Sequence, residues 1–151
     1  MFDQSIKSVM DRKKFLTAGP GENVSTASRL MASKNAGAVL VVEGERLVGI
    51  FSERDAVFRV IARGLDPATT LLSEVMTPDP KTLSPGTSYG HALALMHENG
   101  FRHVPVVEDG RPVGIISSRN AMDPDMEEFV SEARRREYHA GRSVDRRISQ
   151  G

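Results

Sequence analysis

Ser52-Glu53-Arg54-Asp55 follows directly on Gly49-Ile50-Phe51, and the same phrase returns as Gly114-Ile115-Ile116-Ser117-Ser118-Arg119-Asn120. A hydroxyl with an acid three residues later reads as a capping box, in which each side chain bonds the other residue's backbone N–H at a helix start. The arginines fit that reading badly. A cation at the second helical position faces the positive end of the helix dipole, which disfavours it by about 0.3–1 kcal/mol. Two such cations at equivalent helix starts make chemical sense if an anion docks there, because helix N-termini already present N–H groups to phosphates. Asp55 adds a carboxylate with two acceptor oxygens, whereas Asn120 at the matching position has a single one.

Other chemistries find little support. His91 and His97 are six apart on one predicted helix, not the three or four that place two ligands on one face, and His103 and His139 lie elsewhere. His103 also reads as an ordinary half-buried strand histidine. No Gly-Lys-Ser/Thr phosphate loop and no Gly-x-Ser-x-Gly elbow occurs. Glu43, Glu45, Glu108 and Asp109 read as solvated turn charges. With no cysteine there is no thiol nucleophile, no disulfide and no cysteine-ligated zinc or iron–sulfur site. The chain is expected to have no catalytic activity, no catalytic cofactor and no metal.

The elements that must position these residues come from an internal repeat. At an offset of 65, Val39 to Ala56 lies over Val104 to Ala121, Met31 over Met96, Ala27 over Ala92, Pro20-Gly21 over Pro85-Gly86 and Thr17 over Thr82. One residue of slippage then brings Ser8-Val9-Met10 near Glu74-Val75-Met76. A unit this small buries too little surface to be secure alone, so the halves should pack together. Each reads as strand, helix, strand, strand, helix. Val24, Ala27, Leu30 and Met31 form an apolar stripe of helical period, as do Tyr89, Ala92, Leu95 and Met96. Ala38 to Val42 is a buried β-branched run that turns through Glu43-Gly44-Glu45-Arg46 into Leu47 to Phe51, a hairpin copied after Val107. Ser52 caps a helix predicted to stop near Gly64, and Asp66-Pro67 begins a linker toward Leu71 to Met76. Asp123-Pro124 opens a third kind of helix, with acids in its first turns and Arg134, Arg135 and Arg136 near its end.

Duplicated units ending in Gly-apolar-apolar-Ser-x-Arg-Asp/Asn, with Arg102-His103-Val104-Pro105-Val106-Val107 between them, resemble the cystathionine-β-synthase (CBS) domain family. Two such motifs in one chain make a Bateman module. The resemblance implies an α/β (α+β) fold: two β-α-β-β-α repeats, residues 5–66 and 67–123, packed by pseudo-twofold symmetry with two clefts, followed by a C-terminal helix and polar tail over 124–151. It also implies a sensor of an adenosine-containing nucleotide (AMP, ADP or ATP, with S-adenosylmethionine or NAD behind them), a homodimer, and an unidentified effector protein. By that resemblance Asp55 accepts from the ribose hydroxyls, Ser52 assists, Arg54 contacts phosphate, and Thr17 and the backbone near Ala38 surround the base. Thr82, Val104, Pro105, Ser117, Arg119 and Asn120 are the second repeat's counterparts. Arg102 and His103 replace Gly37 and Ala38 there and give that cleft extra cationic donors. If Asp55 awaits a ligand in this way, Asp55→Asn should lower affinity yet leave the ligand-free stability almost unchanged.

Composition adds boundaries. Twenty basic residues balance twenty acidic ones, so no global field draws the chain toward nucleic acid or membrane. No apolar run is long enough to span a bilayer, and the first residues lack a secretory pattern, so a cytoplasmic location is expected. The sole basis for another class of function is the stretch from Arg134 to Gly151, with arginines far outnumbering Glu137 and Asp145. It reads either as a solvated, frayed end or as an electrostatic contact with nucleic acid or an acidic partner, the role of a scaffold whose clefts are remnants.

Overall fold

A computed structural model describes residues 4–8, 10, 15–118 and 133. The chain divides into two compact units, Met1–Ala121 and Met122–Gly151. Of the second unit only Ala133 is described, in a helix, so the expected C-terminal helix otherwise lies outside the described residues. So do Arg119, Asn120 and the second repeat's closing helix.

Within the helix and hairpin of each repeat the 65-residue offset is kept. β1 (Leu16–Ala18) leads to α1 (Val24–Lys34), β2 (Ala38–Glu43) and β3 (Arg46–Ser52). α1 starts where the Asn23 side chain accepts from the Thr26 N–H at 2.8 Å, and it ends at Asn35 in the left-handed conformation. β3 runs into α2 (Glu53–Asp55), which widens into a π-helix over Ala56–Ile61 and turns out at Gly64. The short α3 (Leu72–Val75) and β4 (Thr77–Pro78) connect the repeats. α4 (Tyr89–Asn99), capped by Ser88 and closed by left-handed Gly100, then precedes β5 (His103–Glu108) and β6 (Arg111–Ser117). Ala38 pairs with Ser52 and Glu43 with Arg46, while His103 pairs with Ser117 and Glu108 with Arg111, and both hairpins slip register at the same step, Val41/Val42 and Val106/Val107. Two-residue loops close them. Asp109 and Gly110 both adopt positive φ, the backbone that such tight hairpins require.

The sheets are unequal. The first has the order β1-β2-β3-β4, with β1 parallel to β2; β5 and β6 form the second. The counterpart of β1 shrinks to one parallel bridge, Leu83 with Val106, where Leu83 N–H donates to Pro105 O and Val107 N–H to Leu83 O. Pro105 has no N–H to carry that ladder back toward Lys81, so the strand ends where the donor is missing.

Each repeat lends its leading segment to the other. Ile6, fully buried, packs with Leu83, Tyr89, Ala92, Met96, Val104 and Ile116 of the second repeat. Leu72 and Val75 pack with Val24, Ala27, Val39 and Phe51 of the first. The backbone repeats the exchange: Ile6 N–H to Thr87 O and Tyr89 N–H to Gln4 O in one half, Leu72 N–H to Glu22 O and Val24 N–H to Thr70 O in the other. Burying one such aliphatic side chain is worth about 1.5–3 kcal/mol, enough to hold a short segment in place. Between the sheets Ala38, Leu40 and Ile50 meet Ile115, and Leu47 N–H donates to Gly110 O at 3.0 Å. No helix among the described residues is long and apolar enough to cross a membrane.

Candidate functional site

The end of the first hairpin sets the site. Ala38 and Ser52 face each other as the last ladder pair, and Glu53 N–H donates to Gly37 O at 2.9 Å, so the chain turns into α2 right at the start of β2. Ser118 N–H to Arg102 O at 2.8 Å repeats this turn in the second half. Ser52 is extended, as an N-cap must be, and the capping box is fully formed: Asp55 Oδ2 accepts from Ser52 N–H at 2.9 Å, and Asp55 N–H donates to Ser52 Oγ at 3.3 Å. The Ser52 hydroxyl also donates to Asp55 Oδ2 at 3.2 Å. Asp55 Oδ1 meets Arg59 Nε at 3.5 Å, one helical turn on, with the carboxylate side chain only 12% exposed. Asp55 therefore supports the helix start even without a ligand, and Asp55→Asn must cost ligand-free stability. This differs from the expectation drawn on sequence, because both carboxylate oxygens already have partners.

Arg54 lies exposed, its guanidinium 5.2 Å from the Phe58 ring centroid. That cation–π pair, at the helical spacing of four, offsets the unfavourable dipole position and leaves the charge at the surface. Arg102 is exposed too. His103 is not. Its ring crosses from β5 to the first repeat, where a Cβ on Gly37 would stand 2.9 Å from both Cε1 and Nε2 and 3.3 Å from Glu53 Oε1. A side chain at position 37 would push that imidazole from its place. Burial pushes the His103 pKa below its ordinary 6.5; the Glu53 carboxylate acts against this and the Arg102 charge adds to it.

The structure thus brings Ala38, Ser52 and Asp55 together, with His103 arriving from the other repeat. Thr17 is exposed in the middle of β1 beside Leu40, and Thr82 is exposed next to the Leu83 bridge. Val104 is buried in the second core and Pro105 is also buried, so at Val104 only the backbone is left for a ligand. Ser117 pairs with His103 at the end of the second hairpin. Three residues join the site that sequence reading passed over: Gly37, Glu53 and Arg59. Arg59 carried a usable signal, four residues after an acid on a helix. Gly37 carried none, since its partner lies 66 residues away.

Two hairpin-and-helix units with exchanged leading segments and paired polar turns define a tandem-repeat module. The model of the CBS domain family matches residues 6–62 and 72–124, and the chain belongs to that family. It is 32% identical over 118 residues to the CBS domain-containing protein CBSCBSPB3 of Arabidopsis thaliana, covering 77% of this chain and 21% of that protein. The chain thus spans about a fifth of the length of this relative. An uncharacterized conserved protein from Pyrococcus horikoshii superposes with a TM-score of 0.74 at 30% identity, over 80% of this chain and 90% of that one. CBSX2, solved in complex with AMP, shares the fold with a TM-score of 0.69 at 23% identity, over 82% of this chain and 96% of its own. Mixed α+β repeats paired in this way form a regulatory module.

Proposed function

We propose that this CBS pair senses an adenosine-containing nucleotide, AMP, ADP or ATP, at the turn from β3 into α2, and has no catalysis of its own. The observation that carries the reading is the Asp55 carboxylate: half-buried, oriented by Ser52, and set beside the Ala38 end of β2. A preoriented carboxylate accepts a sugar hydroxyl without further ordering, so little entropy is lost on binding. The fold shared with AMP-bound CBSX2 supports this choice of ligand. Among the described residues, Arg54 and Arg102 are exposed cations at the two turns, and they supply charge for phosphates.

Self-association belongs to the same reading. Val57, Phe58 and Ile61 expose 49%, 58% and 71% of their surface on one short helix, with Leu65 just beyond it. Apolar groups grouped this way suit a second copy of the chain, and a homodimer covers them.

A panel of AMP, ADP, ATP, S-adenosylmethionine and NAD(H), followed by thermal unfolding and calorimetry, tests the sensor reading. A nucleotide at a hundred times its Kd stabilises by about 2.7 kcal/mol per site, a rise of several degrees at ~2–4 °C per kcal/mol. No shift with any of them, in protein freed of copurified ligand, overturns the reading. Salt-sensitive retention on nucleic acid would favour instead a role through the arginine-rich tail.

A further inference from the structure

We propose that Arg59 is a positioning residue that ties the nucleotide site to the connector between the repeats, so that engaging Asp55 loosens the hold on that connector. The proposal rests on the nucleotide reading for its ligand and on the following geometry for the rest.

The Arg59 guanidinium has two jobs at once. Nε faces Asp55 Oδ1 at 3.5 Å, and Nη1 donates to Val75 O at 3.3 Å and to Met76 O at 3.0 Å. Those carbonyls end α3, where a helix has acceptors without intrahelical donors and favours a cation. The chain passes from there into β4 and on to the second repeat. Met76 is further confined by Gly49 in β3, since a Cβ at that position would overlap Met76 Sδ. Asp55, Arg59 and the backbone of residues 75–76 are therefore one connected polar chain, running from the proposed sugar site to the segment that joins the repeats.

Counting acceptor positions shows why a ligand disturbs it. A carboxylate offers about four lone-pair positions. Ser52 N–H, Ser52 Oγ and Arg59 Nε occupy three of them. A ribose diol brings two donors, so one existing partner must give way. Arg59 makes the longest of the three contacts and its side chain is more exposed than the carboxylate it meets, whereas Ser52 is held by the cap itself, so Arg59 is the partner displaced. By linkage, whatever weakens Asp55–Arg59 on binding also makes the state of the connector alter affinity by the same factor. At the 65-residue offset the pair reads Asn120 and Pro124, neither of which carries a charge, so the sequence of the second repeat does not copy the Asp–Arg pair.

Amide hydrogen exchange in the full chain tests this, read at Met76, whose N–H bonds Leu72 O, and at Asp79, whose N–H bonds Val48 O. Without ligand, Asp55→Asn and Arg59→Gln should each speed exchange at these two amides about two- to fivefold, the range for a partly exposed ion pair. The double variant should do no more than either single one. Exchange at Ala92, in α4, follows any loss of global stability, so the acceleration at Met76 and Asp79 is taken over and above the change at Ala92. With AMP at a concentration that calorimetry shows to saturate each protein, the parent's Met76 and Asp79 rates should rise toward those of the variants, while Arg59→Gln, whatever its own affinity, shows no further change. Parent-like rates at these amides in ligand-free Asp55→Asn overturn the tie. An AMP response in Arg59→Gln equal to the parent's overturns the displacement. If calorimetry finds no AMP binding to the parent, the nucleotide reading and the displacement fail together, whereas faster ligand-free exchange in both variants still upholds the tie from Asp55 to the connector.

Discussion

Replacing Asp55 by asparagine separates a binding site from a helix cap, because the two roles predict different pairs of numbers. The substitution keeps size and one acceptor oxygen but removes the charge. In the ligand-free protein it weakens the acceptor for Ser52 N–H and ends the ion pair with Arg59. Loss of a cap costs about 0.5–2 kcal/mol, and a partly exposed ion pair adds roughly 0.2–1 kcal/mol. Since asparagine retains part of the cap, a net loss of about 1–2 kcal/mol is expected, which lowers the melting temperature by about 2–8 °C. If Asp55 also holds the ribose, a charge-assisted hydrogen bond worth about 1.5–3 kcal/mol weakens on top of this. AMP affinity then falls about ten- to a hundredfold. Calorimetry at 25 °C, well below the melting transition, reads the second effect apart from the first. A variant that melts lower and yet binds AMP with the parent's affinity would refute the assignment of Asp55 to the site.

The His103 environment predicts a pH dependence. Burial keeps the folded imidazole neutral below 6.5, where the unfolded chain takes up a proton. Unfolding therefore binds protons, so stability is full above 6.5 and falls as pH drops from there toward the lowered folded value; in His103→Gln the urea midpoint should lose less over this window, and an unchanged slope would count against burial as the cause. Gly49→Ala forces a methyl group into Met76 and should destabilise by about 1–3 kcal/mol, with the Gly49→Ala/Met76→Ala pair less than additive in chemical unfolding. Ile61→Glu, which charges the most exposed apolar side chain of the described residues, should shift the mass in light scattering from dimer to monomer; a monomeric parent at tens of micromolar would overturn the homodimer.

What could be read from the residues alone was the repeat and everything local to it. The offset of 65 predicted both hairpins, both apolar helix stripes and the Ser52–Asp55 box, because each depends on neighbours a few residues apart and on backbone preferences that travel with the sequence. The ending of the second repeat's first strand was also within reach, since Pro105 cannot donate wherever it stands. Three features belong to the tertiary structure. Ile6 lies in the second core and Leu72 in the first, an exchange that an apolar pattern cannot announce, because it shows that a side chain is buried and not which core receives it. His103 reaches Gly37 across the repeat boundary, so the residue expected to enrich the second cleft meets the first repeat's turn. Arg59 bridges Asp55 to Val75 and Met76, a contact between segments 16 and 17 residues apart that only the docking of α3 onto the first repeat creates. Periodicity encodes which face of an element is buried; the partner on that face is chosen when the sheets and helices close around a shared core, and that choice built the site.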